Sequence, residues 1–263
     1  MIAEDLAKNL ALAVPAVRRL NEARRRRRGY DRAKNDPQYP LSVFQQHRET
    51  IERFGEIAGR VLEIGPGGNI AVAALFVTHG AADAVCIDVT PWASPDERLY
   101  QDLGITSAAV ARTQYVWPCS IEAPGLEPAS FDIVFSHAAY EHFYDPDLAT
   151  GNIARLLRPG AITTHQIDLR DHRDFRRPRE FLRYSDRLWK AATSNRMLMT
   201  NRWRASEIRS AFLRHGLEII EERVTERSAL LPGEVARFAK PFCDAQVEDL
   251  ETLGLFIAAR KPG

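Results

Sequence analysis

The hydrophobic positions of this 263-residue chain change their period along its length. Residues 4–28 mix Ala, Leu and Arg at helical spacing, and Pro15 breaks or kinks that helix because proline lacks an amide hydrogen and clashes with the preceding turn. Asp36, Pro37 and Pro40 mark a loop, and 41–58 return to a helical pattern that ends near Gly59. From there, apolar runs of strand length alternate with helical stretches. Strand 60–64 leads into a glycine loop and a helix over 70–78 that Gly80 closes. Strands follow at 84–89 and at 131–136, the latter after the turn-like Glu127-Pro128-Ala129-Ser130; then come a helix over 148–157, stopped by Pro159-Gly160, and a β-branched strand over 161–167. A helix over 206–215 and strands over 217–224 and 253–259 complete the pattern. Strands and helices alternating at this spacing predict a parallel sheet with helices on both faces.

Two stretches do not fit the alternation and are taken as insertions, one over 172–205 and one over about 227–250. One α/β domain over 59–263 with these insertions, preceded by a helical extension or cap over 1–58, is the organisation expected. Charge sharpens that division. The net charge is only +1, yet 1–34 hold ten Lys/Arg against four Asp/Glu, and 170–206 hold eleven against four, so the remainder is acidic. Cys86, Cys119 and Cys243 form no CxxC pair, which argues against a disulfide framework or a structural zinc site. The N-terminus makes a poor signal peptide and no run of about 18 apolar residues occurs, so a soluble cytoplasmic protein without a membrane partner is expected.

Gly65, Gly67 and Gly68 stand where strand 60–64 gives way to a helix, a junction at which backbone without Cβ atoms approaches a ligand closely. An acidic residue ending the next strand would accept hydrogen bonds from ribose hydroxyls, and Asp88 stands there, 21 residues beyond Gly67. A dinucleotide fingerprint requires a third glycine where this chain has Ile70. Glu63, two residues before Gly65, suits a ligand with an amino group better than one with a pyrophosphate. These features favour S-adenosylmethionine (SAM) over NAD.

Residues 60–169 resemble the class I, seven-stranded, Rossmann-like SAM-dependent methyltransferases, particularly the bacterial small-molecule group. Val61-Leu62-Glu63-Ile64-Gly65-Pro66-Gly67-Gly68 is similar to the family's first motif and Ile87-Asp88-Val89 to its second. Ala129-Ser130-Phe131-Asp132-Ile133-Val134-Phe135-Ser136-His137 resembles the fourth strand with its lead-in; Glu141-His142 with Asp145-Pro146, and Leu156-Leu157-Arg158-Pro159-Gly160-Ala161, resemble the segments that follow. The resemblance implies a doubly wound α/β sheet of about seven strands with the last one, 253–259, reversed. It implies SAM contacts at Glu63, Gly65, Pro66, Gly67, Gly68, Asn69, Asp88, Val89, Ser120, Ile121, Ser136 and His137. Asn69 replaces a third glycine of many members, and its tolerance of unusual backbone angles accounts for the exchange.

Methyl transfer to a hydroxyl requires alignment and a general base. His142 is the first candidate base and His172 the second; His165, alternating with Ile162 and Ile167, reads as a core histidine. No metal ligand is assigned. Some relatives hold Mg²⁺ or another divalent ion through a Glu and a Glu-His pair in this loop, but the earlier carboxylate position here is Ala138, which leaves the set incomplete unless Asp168, Asp171 or His172 supplies the rest. The opposing expectation is that Asp168 and Asp171 pair with nearby arginines.

The insertion 172–205 interleaves Arg173, Arg176, Arg177, Arg179, Arg183, Arg187, Arg202 and Arg204 with Phe175, Phe181, Tyr184, Trp189 and Trp203. It reads either as a basic aromatic lid for an anionic or saccharide acceptor, or as a cap whose arginines are used internally. The basic run Arg24 to Arg28 offers the same choice between phosphate contact and a solvated arm. The leading expectation is a methyltransferase acting on a hydroxyl, or an amine, of a small molecule or saccharide. The alternatives are an RNA methyltransferase using 18–34 and 170–206, and a non-catalytic methyltransferase-like partner subunit.

Overall fold

The computed structural model describes residues 2–28, 36–196 and 199–263, with the side chains of 22 and 25–28 left aside. Most of the predicted basic run Arg24 to Arg28 therefore lies outside the described side chains. Seven strands, β1 (Arg60–Ile64), β2 (Asp83–Ile87), β3 (Thr113–Val116), β4 (Phe131–His137), β5 (Leu157–Asp168), β6 (Glu218–Arg227) and β7 (Thr252–Arg260), form one sheet in the order β3-β2-β1-β4-β5-β7-β6. Strands β1 to β5 pair in parallel, and β7 runs antiparallel between β5 and β6. The reversed last strand is thus as predicted. The short edge strand β3 corresponds to none of the strands that periodicity located, because four residues with one buried position carry too little pattern.

The helices are α1 (Ile2–Leu12), α2 (Pro15–Arg28), α3 (Gln38–Phe54), α4 (Ala71–Thr78), α5 (Glu97–Asp102), α6 (Ser107–Ala111), α7 (Pro146–Leu156), α8 (Asp186–Thr193), α9 (Ala205–Arg214) and α10 (Val247–Glu251). Pro15 starts α2 as its first residue, where its missing amide hydrogen costs nothing, so the predicted helix over 4–28 is two helices. Two cores lie on opposite faces of the sheet. Leu62, Ile64, Val85, Ile87, Val134 and Ile167 share one with α7 and α9, while Val61, Ala84, Cys86, Ile133 and Phe135 share the other with α3 and α4. This is the period-2 alternation of half-buried and fully buried strands.

The two insertions share a third, smaller core. Phe181, Leu182 and Trp189 pack on Phe238, Phe242 and Leu250, so segments some 60 residues apart form one cap. Helix α1 is clasped to that cap: Asp5 receives Arg173 (2.7 Å) and Arg196, and the Asn9 amide reaches the Ala191 carbonyl (2.7 Å).

Candidate active site

The chain leaves β1 at Ile64 and turns on Gly65 (φ +74°) and Gly67 (φ +71°), backbone angles at which a Cβ is strained. At Gly65 space forbids one too, since a Cβ there would lie 2.8 Å from the Ala139 methyl. Asn69 does not use an unusual backbone angle, which corrects the sequence expectation. Its Oδ1 accepts the Ala71 amide hydrogen (3.0 Å) and satisfies an otherwise orphaned donor in the first turn of α4.

Two cavities open on either side of Gly65. The larger, about 370 Å³, runs from Gly65, Gly67, Asp88, Val89, Ser120 and Ile121 to His142, Asp168, His172 and Phe175. The smaller is lined by Tyr39, Glu63, Pro66, Gly68, Asn69 and His137. The division follows strand alternation. Glu63 shares its face of β1 with Val61, and so lies on the α3/α4 side, whereas Leu62 and Ile64 face the other way.

Asp88, 8% exposed, follows directly on β2, with Oδ1 accepting from the Thr90 amide (2.9 Å) and hydroxyl (3.0 Å). Burial raises its pKa, and the backbone N–H groups of Thr90, Gly67 and Val89 restrain that rise. Glu63 accepts from the Ala73 amide (3.2 Å) at the start of α4 and from the Cys86 thiol (3.6 Å). Burial pushes its carboxyl up to about 8, despite those donors. The folded protein therefore holds a proton on Glu63 between pH 4.5 and 8 that the unfolded chain has released, so stability falls as pH rises through that window. Glu63→Gln keeps an acceptor for Ala73 and removes the titration. Thermal melts from pH 5 to 8 are expected to decline less steeply for the variant than for the wild type; parallel curves would contradict the assignment.

Other predicted positions are distributed unevenly. Ser120 and Ile121 line the larger cavity, the Ser120 hydroxyl bonded to Glu122. Glu122 in turn accepts the Tyr144 amide hydrogen (2.8 Å) and steadies the loop after β4. Ser136 faces neither cavity: its hydroxyl is buried against His165 Nδ1 (2.7 Å). His165 also meets Thr163 (2.7 Å) through Nε2, and burial pushes its pKa down to about 3, so it is a neutral core histidine. His137 turns to the α3 side, edge-on to Tyr39 and His47.

The two candidate bases come together. After β4 the backbone passes through Ala138 at φ +51°, an uncommon angle for a residue with a Cβ, and forms a 3₁₀ turn over Tyr140–His142. The His142 and His172 rings meet edge-on with centroids 5.1 Å apart. Asp168 Oδ2 lies 3.2 Å from His172 Nε2 and 2.6 Å from Arg170 Nη2. Burial alone would raise the Asp168 pKa, but hydrogen bonds from Arg170 and the nearby His172 hold it below the ordinary carboxylate range. Glu141, behind His142 and 2% exposed, is pushed by burial up to about 7, with the His172 charge and nearby backbone N–H groups opposing. The turn is clamped from the cap. Asn201 donates to the carbonyls of Tyr140 (2.9 Å) and Phe143 (3.3 Å), and its own amide reaches the Glu141 carbonyl (2.6 Å).

Sequence reasoning singled out neither Asn201 nor Trp92, the latter in the cavity wall four residues past Asp88. An aromatic so close to Asp88, the expected ribose partner, was the available signal for Trp92; Asn201 acts across a sequence gap that leaves none.

Most lid arginines are used internally. Arg173 bonds Asp171 and Asp5 and lies over Trp189; Arg179 is buried against the Leu250 carbonyl and Glu234; Arg202 bonds Asp186; Arg204 reaches the carbonyls of Leu169 and Thr252. Asp168 and Asp171 accordingly pair with arginines, as one of the two expectations held. A different group of cations, of which only Arg196 is paired among the described residues (to Asp5), lines a second space. A cleft of about 470 Å³ beside the active-site cavity is lined by Arg18, Arg19, Arg196, Ser194, Asn195 and Tyr144, and Tyr144 borders both spaces. Arg18 and Arg19 form no ion pair among the described residues.

Residues 22–222 match the family model described as a methyltransferase domain. No curated protein sequence matches the chain. Solved structures do. A putative methyltransferase bound to the Trm112 methyltransferase activator of Haloferax volcanii aligns over 88% of this chain and 97% of its own, with TM-score 0.51 and 20% identity. A putative sarcosine dimethylglycine methyltransferase from Galdieria sulphuraria aligns over 84% and 86%, with TM-score 0.55 and 16% identity. Phosphoethanolamine N-methyltransferase 2 of Haemonchus contortus, in complex with SAM, aligns over 83% of this chain and 53% of its own, with TM-score 0.50 and 19% identity. At these identities the likeness is one of fold. No helix among the described residues is long and apolar enough to cross a membrane.

Proposed function

Because this chain belongs to the methyltransferase-domain family and is a SAM-dependent methyltransferase of the seven-stranded class, we propose that it methylates a hydroxyl, or an amine, of a small anionic acceptor such as a phosphorylated or nucleotide-linked saccharide. The observation that carries this reading is that Tyr144 borders both the cavity and the cleft lined by Arg18, Arg19 and Arg196, so the two spaces adjoin. A polar acceptor with a negatively charged tail fits such a path.

The residues fit the donor. Asp88 stands in the larger cavity as the ribose partner and Ile64, Ile87 and Ile121 offer apolar walls to a purine, whereas Glu63, on the other side of Gly65 and protonated up to about pH 8, offers an α-ammonium no charge at neutral pH. When bound, SAM supplies a methyl group already activated on a sulfonium, so the protein's task is to align the acceptor, exclude water and ease removal of the hydroxyl proton. Those tasks fall to the polar group at the far end: His142, His172 and Asp168. The internal use of the lid arginines supports a small acceptor over a polynucleotide, because few cations remain for a phosphate backbone. All three cysteines are free, as suits a cytoplasmic enzyme.

Transfer from methyl-labelled SAM into paired sugar phosphates and their neutral counterparts tests the acceptor class. The phosphorylated compounds are expected to be preferred. The double variant Arg18→Ala/Arg19→Ala is expected to raise the acceptor KM by about 10-fold, since a charge-assisted hydrogen bond contributes about 1.5–3 kcal/mol and exposure reduces that. Its affinity for S-adenosylhomocysteine is expected to stay unchanged. Equal transfer to neutral acceptors, or an unaltered KM, would reject the anionic reading. A steep loss of acceptor binding with salt, of order several counterions, would point to RNA instead.

A further inference from the structure

Three side chains from two separate segments converge where the cavity ends. Glu141 and His142 come from the turn after β4, and His172 from the segment after β5; one candidate ligand atom of each lies within 4.8 Å of the others. Glu141 is 2% exposed, and no side chain donates a hydrogen bond to its carboxylate among the described residues. Buried carboxylates are retained when something pairs with them, because desolvation is otherwise uncompensated. No Lys or Arg forms an ion pair with Glu141 among the described residues. The chemistry facing it is instead two imidazoles.

We propose that Glu141, His142 and His172 hold a divalent cation of the borderline class, Mn²⁺, Fe²⁺ or Zn²⁺, at the acceptor end of the cavity. One carboxylate and two imidazoles form the donor set of catalytic sites that leave coordination positions open. Two nitrogen donors make Mg²⁺, which prefers oxygen ligands and water, a poor occupant. Asp168 stands behind His172, 3.2 Å from its Nε2, where an outer carboxylate orients a ligating imidazole. His142 and His172 both line the cavity, so the open positions face the acceptor. A hydroxyl bound there loses its proton more readily, which gives His142 and His172 a role other than direct proton abstraction. That consequence rests on the functional reading above, whereas the ion site itself does not.

The test uses the full chain, stripped with a chelator and titrated separately with Mn²⁺, Fe²⁺ under anaerobic conditions, Zn²⁺ and S-adenosylhomocysteine, by calorimetry and, for Mn²⁺, by electron paramagnetic resonance. One ion per chain is expected. Glu141→Gln and His172→Ala are each expected to weaken its binding by at least about 100-fold while S-adenosylhomocysteine still binds. Adding the ion at a hundredfold excess over Kd is expected to raise the wild-type Tm by about 5 °C and leave both variants unmoved. No saturable binding of any of the three ions at one per chain, or unaltered affinity in the variants, would overturn the proposal. Should Glu141→Gln fail to fold, His172→Ala, at the cavity wall, decides the question. If the ion binds and S-adenosylhomocysteine does not, the donor assignment fails and the ion site stands.

Discussion

Asp88→Ala is expected to weaken binding of S-adenosylhomocysteine by about 100-fold while leaving the fold intact. Thr90 holds one oxygen of this buried carboxylate through two hydrogen bonds, and Asp88 lines the cavity proposed to take a ribose diol. Charge-assisted hydrogen bonds contribute about 1.5–3 kcal/mol, and about 2.7 kcal/mol corresponds to 100-fold in Kd. Asp88→Asn can still accept from Thr90 and is expected to lose less. Calorimetric titration gives the affinities, and melting curves check the fold. An affinity for Asp88→Ala within a few-fold of the wild type would show that the ribose partner lies elsewhere.

Gly65→Ala is expected to lower both stability and donor affinity. An alanine at φ +74° costs about 1 kcal/mol in backbone strain. Its Cβ would sit 2.8 Å from that of Ala139, and overpacking of this kind costs about 1–3 kcal/mol more. Together these predict a fall in Tm of roughly 5–15 °C for a domain of this size. Ala139 belongs to the turn that carries Glu141 and His142, so the strain passes directly into the part of the cavity wall that His142 forms. A Tm within a degree or two of the wild type would mean that the loop shifts to accommodate a Cβ without loss.

The glycine loop, Asp88 just past β2 and six of the seven strands were legible because each depends on neighbours in the chain. A tight turn needs glycine at the turn itself, and a ribose carboxylate needs to end the strand beside the glycine loop. The face of a strand is equally local. Parity with Val61 already sends Glu63 to the α3/α4 side, although the motif alone suggests direct contact with everything the loop holds. Asn69 misled for a subtler reason: a side chain that tolerates rare angles also makes a good acceptor at a helix start, and only coordinates distinguish the two uses.

Arginine content did not reveal arginine availability. Arg173, Arg179, Arg202 and Arg204 stand in one of the most basic stretches of the chain, yet carboxylates and carbonyls distant in sequence consume them. Arg18 and Arg19, from a helix more than 120 residues from the loop that carries Tyr144, border the cleft instead. Likewise, His142 and His172 are 30 residues apart and read as separate candidates, whereas the fold places their rings edge-on beside Glu141. Local chemistry thus settled the sheet, its glycine loop and the methyl donor, since turns, strand ends and periodicity act over a few residues. The arrangement around His142 and His172 and the pairing of the arginines were settled by packing between segments far apart in the chain, because whether a charge is free or paired depends on partners that sequence proximity does not reveal.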